Sequence, residues 1–271
     1  MSAKYNYNSL EDFLISTTLT VDGQIDDGWG ALFPVKGREI EATILFSDIS
    51  GFSKRTSNLN ATETLIFVNH FFAWITAEAL CSKKGIVDKY IGDEMMMVFS
   101  RRFGSDDPFK EAVEAARFMA ENDAYSFCPH IGIASGQVIV GYVGTPMKYN
   151  CSVFGSPVAL ASRCASVKTA ESDNAIQGCS IVFPADEWGS RDFDKVFPTQ
   201  KYRNLNGTTF EQPHAWNLKD PRVVEMKNLP DIQIQEIILQ SMHFPQESPE
   251  ERARTALQSL KETNRYWPED A

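Results

Sequence analysis

Histidine and cysteine are scarce in this chain, and nowhere do they gather. The four histidines (His70, His130, His214, His243) show no metal-ligand spacing. The five cysteines (Cys81, Cys128, Cys151, Cys164, Cys179) are odd in number, widely separated and contain no Cys-x-x-Cys pair. That pattern excludes a disulfide framework and points to free thiols in a reducing cytoplasm. Positive charge is short as well, with 26 Lys plus Arg against 36 Asp plus Glu, a formal charge of −10. Such a chain has no electrostatic footprint for nucleic acid, and an anionic membrane surface would repel it. Long apolar runs are missing too. The most apolar stretch, Leu65 to Leu80, is broken by Asn69, His70 and Glu78 and reads as a buried helix rather than a membrane span. The opening MSAKYNYNSLEDF lacks the apolar core of a signal peptide. A soluble, cytoplasmic protein that binds neither nucleic acid nor membrane is expected.

What is present suffices for a globular core, with 43% hydrophobic residues in 271. In the lead-in of residues 1–38, NSLEDFLIS reads as a short helix capped by Asn8 or Ser9, and DGQIDDGWG as a loop. EIEATILFSDI is a strand ending on Asp48. Residues 61–82 and 106–122 have helical spacing. GIVDKYIGDEMMMVFS reads as two strands joined at a Gly92-Asp93 turn, and PHIGIASGQVIVGYVGT as two strands around a Ser-Gly turn. Residues 156–168 form a helix opened by Ser156 and Pro157. Strand-like runs near 178–184 and 207–217 close a unit spanning 39–220, and the tail 221–271, with IQIQEIILQSM and EERARTALQSLKE, carries helical spacing. The two hairpins argue against a purely parallel sheet. A mixed or antiparallel sheet with helices packed on it, an α+β fold, is expected. Met95, Met96 and Met97, and the aromatics Phe67, Phe71, Phe72 and Trp74, are expected to be core.

Chemistry concentrates on two aspartates. Asp48 ends an apolar strand just before Ile49-Ser50-Gly51-Phe52-Ser53, and Asp93 sits in a hairpin turn. Alone, each has an ordinary structural explanation, since Gly-Asp is a common turn and a strand-end Asp often caps a helix. Together they suggest more. A glycine turn entering a helix offers backbone N–H groups to phosphate oxygens. Two carboxylates beside it would suit Mg²⁺ or Mn²⁺.

LFSDISGFS, GIVDKYIGDEMMMVF, HIGIASGQVIVGYVG and VFGSPVALASR resemble, in order, the successive motifs of the class III nucleotide cyclases, over roughly residues 40–218. The resemblance implies a ferredoxin-like α+β catalytic domain that works as a homodimer with composite active sites. It implies two divalent metal ions, Mn²⁺ or Mg²⁺, held by Asp48, Asp93 and the backbone carbonyl of Ile49. Gly51, Phe52 and Ser53 match the turn that holds the triphosphate. Lys89 and Ser152 match the two base-reading positions, and Arg163 matches the arginine that stabilises charge on the phosphate. Two positions depart from the family. Ala159 stands where an asparagine usually orients the ribose, and Asn206 stands where a late lysine is expected, with Lys201 and Arg203 close by. A non-catalytic cyclase-homology module is therefore an alternative.

Lys89 can donate to adenine N1, cytosine N3 or a uracil carbonyl. Ser152, being neutral, removes the bias toward an exocyclic amine that a carboxylate would give, and leaves the N3–H and O4 of uracil readable. The short chain, the lead-in containing LFPVKGREIEAT and the missing asparagine resemble the bacterial Pycsar pyrimidine cyclases. These make cyclic UMP or cyclic CMP as antiphage signals read by a separate cyclic-nucleotide-binding effector. UTP is the expected substrate and CTP the next. Adenylate cyclase activity is the alternative.

Overall fold

The structure is a computed structural model and describes residues 7–26, 28, 30–80, 85–121, 123, 127–145, 148–167, 179–203, 209–212, 216–226, 230–239, 248–263 and 265, without the side chains of 200–203 and 209–212. In chain order the elements begin with helix α1 (Leu10–Ser16), strands β1 (Val21–Asp26) and β2 (Leu32–Asp48), and helices α2 (Phe52–Thr56) and α3 (Ala61–Leu80). Strands β3 (Ile86–Ile91) and β4 (Glu94–Phe99), helix α4 (Pro108–Glu121), strands β5 (His130–Thr145) and β6 (Lys148–Phe154) and helix α5 (Ser156–Ala165) follow. Next come β7 (Ser180–Pro184), α6 (Ala185–Trp188), α7 (Phe193–Val196), β8 (Gln200–Arg203) and β9 (Thr209–Gln212). The last elements are β10 (Trp216–Leu218), β11 (Arg222–Val224), β12 (Ile232–Leu239) and α8 (Pro249–Glu262).

The main sheet runs β10-β12-β7-β5-β2-β4-β3, with β1, β6 and β11 attached beside it. Among the described residues only β5 and β7 pair in parallel; the other ladders are antiparallel. This is the expected mixed α+β sheet. Both of its faces are buried, which is why β2 and β4 read as continuous apolar runs. Leu45, Met95, Met97, Phe99 and Ile131 point into a core with α3, α4 and α8. Ile44, Phe46, Met96, Val98 and Ala134 point into a second core with α1 and α5. All three consecutive methionines are therefore core. Helix α1 starts where expected, with the Ser9 side chain accepting from the Asp12 N–H at 3.1 Å. The Gly92-Asp93 hairpin is also as expected, with Ile91 opposite Glu94 and Gly92 at φ +64°.

Three expectations need correction. The Ser135-Gly136 segment is not a turn: β5 runs straight through it, paired with β2 without a register break from His130 to Gly141. Its glycines serve close packing instead. A Cβ at Gly132 would lie 2.1 Å from the Ala161 carbonyl oxygen and 2.2 Å from the Ala165 nitrogen, so α5 rests directly on the strand backbone. Residues 21–26 form a strand rather than a loop, pairing with residues 32–37. They are almost wholly exposed and so carry no hydrophobic alternation to betray them. The tail is not wholly helical either, since IQIQEIIL is strand β12, lying between β10 and β7. Ile234, Ile237 and Ile238 have helical spacing, but they are buried as strand residues beside a buried Glu236 that pairs with Arg222 at 2.9 Å. The four described cysteines are free. Among the described residues no helix is long and apolar enough to cross a membrane.

Gly132→Ala should destabilise the fold by about 2–4 kcal/mol, because the clash is with helix backbone that cannot swing aside. Gly23→Ala, which meets nothing within 4 Å, should stay within about 0.5 kcal/mol. Urea denaturation of the two variants checks this. Equal midpoints would mean that the α5–β5 approach is not tight.

Candidate active site

The end of β2, the β3–β4 hairpin and the first turn of α2 converge on a cavity of about 550 Å³. Asp48, Ile49, Gly51, Phe52, Ser53 and Asp93 all line it. The structure thus brings together every residue expected at the metal and triphosphate half. Gly51 holds the turn at φ +65°, which glycine adopts freely. The buried Ile49 side chain anchors that turn in the core. Ile49 also links the two acids. Its backbone N–H favours the Asp93 anion, while its carbonyl accepts from the Phe52 N–H at 3.2 Å and keeps a second lone pair.

Asp48 lies in an electrostatically poor place for an anion. Burial, then the charges of Asp93 and Glu94, push its pKa up to about 7, against backbone N–H groups of Asp48 and His130 that favour the anion. Burial likewise raises Asp93 and Glu94. The Oδ1 atom of Asp48 is buried and has no hydrogen-bond partner among the described residues. A buried carboxylate oxygen without a donor, among further acids, is what a divalent cation would satisfy. The donor set therefore fits the expected Mg²⁺ or Mn²⁺.

A second cavity, of about 440 Å³, shares no lining residue with the first and holds Lys89 and Ser152 together. It also holds Asp88, which sequence reasoning missed. The β3–β4 register breaks between Val87 and Lys89, leaving Asp88 as the unpaired residue of a bulge. Its side chain is 1% exposed, and its Oδ2 accepts from the Ser152 hydroxyl at 2.7 Å with the Lys89 ammonium at 3.3 Å. The neutral Ser152 thus has a carboxylate beside it, supplied by a bulge that no sequence pattern announces. Residues of α1 border the same cavity, where Glu11 accepts from the Tyr142 hydroxyl at 3.1 Å.

Arg163 lines neither cavity. It lies half-buried on α5, one turn beyond the exposed Ala159. Asn206 falls outside the described residues, as do the side chains of Lys201 and Arg203. A further residue missed by sequence is Arg55, 2% exposed, whose Nε donates to the Ser50 carbonyl at 2.7 Å and whose Nη2 donates to the Phe127 carbonyl at 3.3 Å. It braces the turn beneath the first cavity, which Pro249 at the start of α8 also lines.

With this geometry in place, the comparisons with known proteins agree. Residues 35–175, just over half of the chain, match the adenylate and guanylate cyclase catalytic domain. The chain belongs to that family. Rv1319c and Rv1320c, two uncharacterized proteins of Mycobacterium tuberculosis, are 31% and 33% identical to it over 130 and 131 residues. Each match covers 47% of this chain but only 24% and 23% of the relative, so the chain corresponds to about a quarter of their length. Among solved structures, the adenylyl cyclase CyaB from P. aeruginosa superposes with a TM-score of 0.56 at 19% identity, over 77% of this chain and 99% of that one. The guanylate cyclase domain of RhGC from Catenaria anguillulae, in complex with GTP, gives 0.55 at 18%, over 75% and 100%. These likenesses establish the shared fold.

Asp48→Asn should stabilise the metal-free protein. The native pKa lies above the unfolded value of 3.8, so the native state holds the extra proton and wild-type stability falls as pH rises between about 4 and 7. The advantage of the variant should be absent near pH 4 and level off above pH 7. Discounted for partial exposure, it should reach on the order of 1–2 kcal/mol. Thermal melts in chelator at pH 4.5 and 8 measure it, and no gain at pH 8 would contradict the strained carboxylate.

Proposed function

We propose that this chain converts a nucleoside triphosphate to its 3′,5′-cyclic nucleotide and pyrophosphate. The observation that carries this is the meeting of Asp48 and Asp93, one with an orphaned oxygen, at the glycine-started turn. Mn²⁺ or Mg²⁺ held by Asp48, Asp93 and the Ile49 carbonyl would supply charge neutralisation for the triphosphate and acidify the 3′-hydroxyl. In the reaction the ribose 3′-oxygen bonds to the α-phosphorus, the bond to the β-bridging oxygen breaks, pyrophosphate leaves and the hydroxyl proton is released. Gly51, Phe52 and Ser53 seat the leaving phosphates, with Arg55 holding the turn in shape. Arg163 stabilises charge on the transferred phosphate.

The site is composite in this proposal. The base-reading pair lies in a cavity separate from the aspartates, and Arg163 lies in neither. A homodimer would join Asp48 and Asp93 of one chain to Lys89, Ser152 and Arg163 of the other. For the base we propose uracil, with Lys89 donating to O4 and Ser152 accepting from N3–H, and cyclic UMP as product. Its role as a messenger to a separate effector in antiphage defence rests on the sequence resemblance. One observation favours a second reading. The Asp88 carboxylate beside Ser152 is the kind of acceptor that suits an exocyclic amine, which would select CTP or ATP.

Purified protein with Mn²⁺ and an equimolar mixture of the four triphosphates should yield one dominant cyclic nucleotide, identified by mass. A cyclic UMP peak supports uracil, and a cyclic AMP or CMP peak supports the amine reading. No cyclic product at all would leave the non-catalytic module. Asp93→Ala should lower turnover at least about 10²-fold with the fold intact. Mixing inactive Asp48→Ala and Arg163→Ala chains should restore activity through one good site per heterodimer. A mixture that exchanges subunits yet stays inactive rules out the shared site.

A further inference from the structure

We infer that Asp88 decides which class of base the Lys89–Ser152 pocket accepts, by locking the Ser152 hydroxyl as a hydrogen-bond acceptor; this rests on the base-pocket reading above. A hydroxyl carries one proton and can donate or accept, so a free serine reads no base in particular. Here the proton is committed. Ser152 is buried, and its hydroxyl donates to Asp88 Oδ2 at 2.7 Å. A hydrogen bond to a carboxylate is stronger than any a neutral base can offer in its place, so the proton stays there. Only lone pairs of Ser152 remain for a ligand. The same Oδ2 holds the Lys89 ammonium at 3.3 Å, and that group can only donate. The bulge falls at Asp88, and the carboxylate adjoining Lys89 in sequence meets Ser152 in space.

A pocket with one fixed donor and one fixed acceptor divides the bases by class. Cytosine and adenine offer an amine donor beside a ring-nitrogen acceptor, whereas uracil and guanine offer a carbonyl acceptor beside a ring N–H. Fixed roles match one class and mismatch the other at both positions. A rotating hydroxyl would lift the mismatch at its own position, leaving only that at Lys89, whose flexible stem can turn aside. Asp88 is thus a positioning residue: it acts on the base through Ser152.

The test uses size-matched pairs that cannot turn over, because they lack the attacking hydroxyl: 3′-deoxy-UTP against 3′-deoxy-CTP, and 3′-deoxy-ATP against 3′-deoxy-GTP. Equilibrium binding to the full chain with Mn²⁺ should show wild type favouring one member of a pair at least about tenfold. Asp88→Asn should bring that ratio to within about threefold, because the amide can donate to Ser152 and free its proton. Ser152→Ala should do the same, and the double variant should lose no more than either single one, since both act through one bond. Binding of inorganic tripolyphosphate should not change. Asp88→Ser, which keeps a polar partner without the charge, carries the comparison if the asparagine variant does not fold. Asp88→Asn keeping the wild-type ratio, or additive losses in the double variant, would overturn the inference. Activity assays of the same proteins separate the two levels. Cyclic product with an unmoved ratio defeats the role of Asp88 alone, whereas base-selective binding without product defeats the cyclase reading alone. No binding of any analogue defeats both.

Discussion

Twelve antiparallel pairs between Gly37–Asp48 and His130–Gly141 hold the centre of the sheet, and each part of the candidate site is placed relative to that ladder. At one end Asp48 lies opposite His130, whose N–H supports the carboxylate. Toward the other end Gly141 pairs with Ser152 on β6, which carries the hydroxyl proposed to read the base. Between them Gly132 admits α5, the helix of Ala159 and Arg163, to direct backbone contact. A slip of one residue would turn every side chain of β2 to the opposite face. Leu45 would exchange cores with Ile44, and Asp48 would leave the turn. Because both faces are buried in separate cores, such a slip is strongly disfavoured, and the position of Asp48 is fixed by packing rather than by its own interactions.

That division of labour explains how the fold tolerates a site that works against it. Asp48, Asp93 and Glu94 are all raised by burial, and the charges of Asp93 and Glu94 add to the burden on Asp48. Three acids around one turn would repel one another and open the loop if it were held only by polar contacts. The turn is held instead by Ile49 in the core and by Arg55 from below. Local electrostatic strain of this kind persists where surrounding structure over-determines the geometry, and it commonly marks a ligand site.

Sequence patterns exposed the parts of the site that depend on local chemistry. The strand ending on Asp48, the Gly92-Asp93 hairpin and the Gly51 turn each carry a local signal in residue type or spacing, and the family motifs join them. What stayed hidden depends on partners distant in sequence. Gly136 looks like a turn residue, because a glycine that makes room for a helix resembles a glycine that bends a chain. The Ile-rich tail has both helical spacing and β-branched composition, and only its place between β10 and β7 decides in favour of strand. Asp88 stays hidden because a bulge suspends the alternation of neighbours between faces without a mark in composition. Arg55, in a five-residue helix, carries no sign in sequence that it is buried against the Phe127 carbonyl, 72 positions away.

The C-terminal helix shows how far support for the turn extends. Arg252 of α8 is 7% exposed and directs Nη1 toward the Cys128 sulfur at 3.9 Å. Hydrogen bonding with Cys179, together with the positive charges of Arg55 and Arg252, lowers the Cys128 pKa against the effect of burial. The Cys128 sulfur therefore lies against two buried guanidiniums, Arg55 from the turn-bearing helix and Arg252 from α8, with the Asp123 carboxylate close by. Two buried cations close together repel each other in a low-dielectric interior, and Cys128 and Asp123 together offset that repulsion at Arg55. The interaction ties α8 to α2 electrostatically as well as by packing. It makes the shape of the candidate triphosphate cavity depend on residues more than 120 positions apart in the chain.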